Sequence, residues 1–318
     1  MKAAWPAAML VAGTIMTLLV LRRQHQNSGG LAPPGARKPG PTVPTQAQTN
    51  PSPAGQSEKA PTLMVRGADW QAVAALLAQP SHRPLMREVP LLSPEHEARL
   101  IDLYHGIEGI TNKDHILRML AFGGGSAAAN VLKRAVTEEF SGREQSPYGN
   151  AILYYVPQLC GVLARRNQDA LEFLLAGSKV EFWSGRTLWR FDGRPASVRA
   201  VVGGCIKGLA LSEREGSQQL LDWYWAHPEE VGIFRSDGAL DDCLDGAVVD
   251  AVYERGLVRT MGMEAAMDEV FSADLHVGMK RYQEWLRTPE GEKWHRWSLE
   301  AQAAASAKAA RSRPNSAR

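Results

Sequence analysis

The stretch DGRPASVRAVVGGCIKGLA, residues 192–210, decides the fold. Asp192 and Gly193 make a turn, and Pro195 suits a first helical turn, where its missing N–H costs nothing. Val198, Val201, Val202, Cys205, Ile206 and Leu209 then recur at helical spacing on one face, and Gly208 marks the far end. Residues 211–225, LSEREGSQQLLDWYW, begin a second helix after a short polar turn, with Leu220, Leu221 and Tyr224 as its apolar side. The two together read as a helix hairpin.

Working outward, the pattern from Thr62 onward is helical, with no sustained period-2 alternation that would insist on a sheet. The periodicity predicts helices at about 68–78, 94–108, 113–122, 126–139, 150–165, 168–176, 195–210, 214–226, 239–255, 263–272 and 275–287. Four times a helix ends in a glycine, Gly123, Gly161, Gly208 and Gly256, and a second helix follows within a few residues. These glycines lie 38, 47 and 48 positions apart. Periods of that size predict an all-α fold of helix hairpins stacked as an α-solenoid, in which each pair buries its apolar face only against neighbours.

Ser197, Val198 and Arg199 with Gly208, Leu209 and Ala210, and Leu117 and Arg118 with Ala121, Phe122 and Gly123 before Ala127, Ala128, Val131 and Leu132, carry a resemblance. An Arg early in one helix, a closing glycine and then the first helix of the next unit resemble HEAT-type repeats, over about residues 94–275. The resemblance implies a protein-binding or structural role and implies no reaction.

The ends differ from the middle. Residues 3–21, AAWPAAMLVAGTIMTLLVL, carry no charge and are flanked by Lys2 and by Arg22 and Arg23. At roughly 1.5 Å per residue they make a helix of about 28 Å, enough to span a bilayer. No small-x-small cleavage site follows the apolar run, so an uncleaved signal-anchor is expected in residues 1–26 rather than a removed signal peptide. Residues 27–61 are rich in Pro, Gly, Gln, Ser and Thr and hold almost no large apolar side chain, the composition of a disordered linker. In polyproline geometry that linker reaches up to about 100 Å. Residues 62–300 are the expected helical-repeat domain and residues 301–318 a disordered basic tail.

Charge follows the same division. The whole chain carries +2, whereas residues 22–60 and 301–318 carry +4 each and residues 61–300 carry −7. An acidic folded part argues against nucleic acid as a partner, because phosphate neutralisation supplies most of such affinity. Arg22, Arg23, Arg37 and Lys38 outnumber Lys2 around the apolar run, and by the positive-inside tendency this favours a cytoplasmic over a periplasmic or extracytoplasmic domain. Cys160, Cys205 and Cys243 each sit among apolar neighbours in helical segments and read as small core residues, with no disulfide framework and no metal spacing.

Candidate chemistry is sparse. The run GGGSAA at residues 123–128 fits a loose dinucleotide-binding turn, but helices rather than strands are expected on both sides, so a turn between repeats is the better account. Asp102, His105 and Glu108, with His96 and His115 nearby, offer a conceivable metal or hydrolase face, but their spacing drifts around the helix, as on a solvated side. Asp237, Asp241, Asp242 and Asp245 lack the pattern of a calcium loop and read as helix-capping acids. No GxSxG, Walker A or HExxH motif occurs. In residues 182–194, FWSGRTLWRFDGR, aromatic and basic residues interleave, and Trp183, Arg186, Trp189, Arg190 and Arg194 are the candidate partner-binding set. The competing reading places those aromatics in the core. Trp285, Trp294 and Trp297 are expected to cap the stack. The function expected from the sequence is a membrane-tethered scaffold that binds a protein partner without catalysis, metal or cofactor. A hydrolase or metal-dependent enzyme around Asp102 and His105 and a structural spacer of the cell envelope are the alternatives.

Overall fold

The computed structural model describes residues 70–79, 83–107, 109–141, 147–186, 188–189, 195–196, 198–271 and 275–312. The expected anchor at residues 3–21 and the linker at 27–61 lie outside them. Among the described residues no helix is long and apolar enough to cross a membrane.

The described part is mostly helical, with α1 at Trp70–Leu77, α2 at Pro94–Gly106, α3 at Ile110–Gly123, α4 at Ser126–Arg134 and α5 at Pro147–Ala164. There follow α6 at Gln168–Gly177, α7 at Arg199–Ser212, α8 at Glu215–Ala226, α9 at Asp245–Met261, α10 at Met263–Val270, α11 at Leu275–Trp285 and α12 at Pro289–Ser312. Two short antiparallel hairpins interrupt the helices: β1 at Leu188–Trp189 pairs with β2 at Pro195–Ala196, and β3 at Gly232–Phe234 pairs with β4 at Leu240–Cys243.

Helices α3, α5, α7 and α9 lie side by side in chain order. The intervening helices flank that row: α4 touches α3 and α5, α6 touches α5 and α7, α8 touches α7 and α9, and α4 also packs on α6. The face expected of the opening stretch is the buried one, since Val201, Val202, Cys205, Ile206 and Leu209 are all at most 1 % exposed. Removing each of the larger aliphatic side chains from water stabilises the fold by about 1.5–3 kcal/mol. Cys160 and Cys205 are free and buried as expected, and burial pushes the Cys160 thiol up to about 12. One segment departs from neighbour-only packing. The stretch before α2 crosses to α10, where the Met86 amide donates to Asp268 Oδ1 at 3.3 Å and Arg87 pairs with Asp268 at 2.9 Å.

Three expectations are corrected. Of the four glycines read as helix ends only Gly123 ends its helix, while Gly161, Gly208 and Gly256 lie inside α5, α7 and α9. Gly161 and Gly208 are where α5 and α7 meet: a Cβ on Gly161 would lie 2.1 Å from the Gly208 carbonyl oxygen, and one on Gly208 would lie 2.5 Å from that of Pro157. The glycines therefore serve a close helix crossing, and α7 runs on to Ser212, with Glu213 in the left-handed region at φ 52°. At the other end, Pro195 and Ala196 pair with β1, so α7 starts at Arg199. Leu240–Cys243 forms β4 where the start of a helix was expected, and α9 starts only at Asp245.

A further correction concerns the C-terminal stretch. Residues 301–312 belong to α12, and Ala301, Ala305 and Ala309 are buried in continuation of Trp297. That i, i+4 line of small residues lets α12 approach the turn Pro228–Val231, the β3–β4 hairpin and α9 closely. Asp245, expected as an acid of a helix's first turn, does open α9 and in addition anchors α12. Its buried carboxylate accepts from Ser298 Oγ at 2.5 Å and Gln302 Nε2 at 2.8 Å.

Candidate interaction groove

Helix α8 ends in the run Asp222, Trp223, Tyr224, Trp225, and helical spacing sends these rings different ways. Tyr224 is buried, whereas Trp223 and Trp225 are 43 % and 38 % exposed. Trp225 leans on the first turns of α12, with its ring centroid 4.8 Å from Trp294 at 73° and 6.4 Å from Trp297 at 19°. Trp294 in turn meets Trp297 edge-on at 5.2 Å. A groove of about 440 Å³ opens here, lined by Trp225, Pro289, Glu292, Lys293, Arg296, Trp297 and Glu300. The Lys293 ammonium sits over the Trp225 ring at 4.2 Å. Trp297 is 3 % exposed, and its buried Nε1 donor has no acceptor among the described residues. An exposed Trp225 face and a charged rim of both signs border the groove. Trp294 and Trp297 were legible as capping residues. Trp225 was missed, because only the tertiary packing of α8 on α12 brings it beside them.

Of the partner-binding set expected from the sequence, Trp183 is withdrawn into the core. Trp183 is 1 % exposed, and its Nε1 donates to the Gly177 carbonyl at 2.8 Å, so it belongs to the core, the competing reading. Phe182 packs edge-on against it and against Phe173. Arg186 is exposed at its surface, and its guanidinium donates to the Thr137 carbonyl in the π turn Ala135–Glu139. Trp189 lies in β1, and Arg190 and Arg194 lie outside the described residues.

The enzymatic candidates are dispersed. Asp102 and His105 face solvent on α2, His115 is buried on α3, His96 packs on Trp70, and Glu108 lies outside the described residues. No group of three or more His, Cys, Asp or Glu among the described residues is placed to hold a metal. The N-terminus of α4, where the GGGSAA run ends, is already occupied by an internal anion. Glu97 Oε1 accepts from the Gly125 and Ala128 amides at 3.0 and 2.5 Å, and Arg166 binds the Phe122 and Gly124 carbonyls at 2.8 and 3.0 Å. The run thus makes a sealed turn between packed helices.

The strongest concentration of titratable groups lies between α7 and α9 and was not foreseen. Lys207 Nζ stands 4.0 Å from both Asp250 Oδ2 and Glu254 Oε1, Gln158 Nε2 donates to Glu254 Oε2 at 2.6 Å, and Tyr282 hydrogen-bonds Asp250. Burial, with Asp250 adding to it, pushes the Glu254 carboxyl up to about 7 against the pull of Lys207. The groove beside Trp225 includes none of these residues.

Fold and groove together define a class: a mostly helical array with a tryptophan-lined groove beside its last described helix. Comparison with protein-family models, curated proteins and solved structures gives no match.

Proposed function

We propose that this chain is a membrane-tethered helical-repeat scaffold that binds a protein partner, with residues 3–21 as its bilayer anchor, residues 27–61 as its spacer and a HEAT-like α-solenoid as its folded part. The chain-order packing of α3, α5, α7 and α9, flanked by α4, α6, α8 and α10, supports the solenoid reading. The observation that carries partner binding is the tryptophan groove, where the exposed Trp225 indole and mixed charges sit on two helices rather than on a loop. On this reading the partner surface is centred on Trp225 beside Trp294, and the buried Trp183 has no part in it.

The test is affinity capture with the full chain in detergent and with two full-chain variants, Trp225→Ala and Arg296→Glu. Both positions are exposed, so thermal melting should move by a few degrees at most. A partner retained by the parent chain and lost from both variants supports the reading. Identical capture by all three removes the groove from it.

A further inference from the structure

We propose that the tryptophan groove is the docking site of the chain's own proline-rich segment, residues 38–44, so that the linker closes onto the folded part and competes there with the partner. The inference rests on the groove being a binding surface, as proposed above. Residues 38–44 read KPGPTVP and lie outside the described residues. Their Lys38, Pro41 and Pro44 are spaced by three. A polyproline II helix has three residues per turn, so this spacing puts one cation and two proline rings on a single face. Grooves lined by aromatic rings take such helices, because the rings pack on proline and little conformational entropy is lost on binding.

The groove offers the complementary parts. Trp225 is 38 % exposed and is braced from behind by Trp294 and the buried Trp297, so it offers one flat, fixed ring face to a proline ring. The Lys293 side chain that covers Trp225 is exposed and free to swing aside. Glu292 and Glu300 on the rim present carboxylates to Lys38, and the charges of residues 61–300 and 22–60, −7 and +4, draw the two parts together.

The tether is long enough. Residues 45–69, 25 in all, join the segment to α1, which packs on α3. A flexible chain of that length has a root-mean-square span of about 25–30 Å and an extended reach of about 80 Å. Four helix spacings of about 8–10 Å separate α3 from α12, or roughly 40 Å. Docking is then intramolecular, at an effective concentration on the order of millimolar.

The experiment uses the full chain in nonionic detergent, the double variant Pro41→Ala/Pro44→Ala, and the same double variant carrying Trp225→Ala. The probe is a fluorescent synthetic peptide of residues 35–46, and binding is read by anisotropy. Far-UV circular dichroism checks that all three chains are folded to the same degree. Docking in cis requires the peptide to bind the double variant, to bind the parent chain at least about tenfold more weakly because the segment already fills the groove, and to lose binding when Trp225 is removed. Equal affinity for parent and double variant overturns the closure in cis while leaving the groove a binding surface. No binding to either, or binding that survives Trp225→Ala, overturns the proposal, and the partner reading then stands or falls by the capture experiment alone.

Discussion

Glu254 is a buried carboxyl with little to compensate its charge. It is 7 % exposed, it takes one hydrogen bond from Gln158 at 2.6 Å, and the nearest cation, Lys207, is 4.0 Å away and shared with Asp250. Burial therefore dominates, and the carboxyl rises from its ordinary 4.5 to about 7. A folded-state value above the unfolded one means that the native chain binds the extra proton. Stability from this group is then greatest below about pH 4.5, falls as the pH rises through 4.5 to 7, and stays low above. The shift corresponds to roughly 3 kcal/mol. Chemical denaturation of the parent chain and of Glu254→Gln between pH 5 and 8 should show the parent losing about 2–3 kcal/mol relative to the variant, with the variant the more stable at pH 8. Parallel curves would mean that Glu254 is ionised throughout and that the Lys207 pairing is stronger than its distance implies. Sequence could not single out this residue. Asp250 and Glu254 look like an ordinary solvated i, i+4 acid pair until α7 and Gln158 of α5 close over them.

At the scale of elements, the helices were legible because each carries its own period, and the apolar face of residues 198–209 is the buried face of α7. Their ends and mutual contacts were less so. A glycine near the end of an apolar run reads as a stop, yet Gly208 lies mid-helix because only hydrogen fits where α7 crosses α5. The two meanings of glycine separate in a pair of substitutions. Gly208→Ala forces a Cβ to 2.5 Å from the Pro157 carbonyl and 2.9 Å from Leu174 Cδ2, both held in packed helices. It should cost about 3 kcal/mol or more, or prevent folding. Gly256→Ala, inside α9 with nothing within 4 Å of the new Cβ, should instead stabilise the chain by about 0.5–1 kcal/mol through helix propensity. Thermal melts of the two variants beside the parent chain decide the matter. If both destabilise alike, Gly256 too ends or bends its helix in solution.

At the scale of the molecule, the row of helices ends at α9, and α12 packs along α9, the turn Pro228–Val231 and the β3–β4 hairpin. The sequence hid this because its last turns, AQAAASAKAARS at residues 301–312, have the composition of a solvated tail and almost no large apolar side chain. What the composition conceals is the spacing. Alanines at 301, 305 and 309 follow Trp297 at one turn each, and all four are at most 5 % exposed. Around them Lys308 pairs with Glu230 at 2.6 Å, and Asp245 on α9 receives Ser298 and Gln302. Small residues contribute little area each, but they bring the helix close enough for these buried polar contacts to form, and removing one partner leaves the Asp245 carboxylate buried with less compensation. Two truncations of the full chain separate a tail from a cap. Ending the chain after Ser312 removes none of these contacts and should leave the melting temperature unchanged. Ending it after Glu300 removes the three alanines, Gln302 and Lys308, and should destabilise the fold by several kcal/mol. It should also quench-expose Trp225 and Trp297, read by acrylamide quenching of tryptophan fluorescence, because the groove is built on the first turns of the same helix. Equal melting and equal quenching for the two truncations would return residues 301–312 to the status of a tail and detach the groove from the cap.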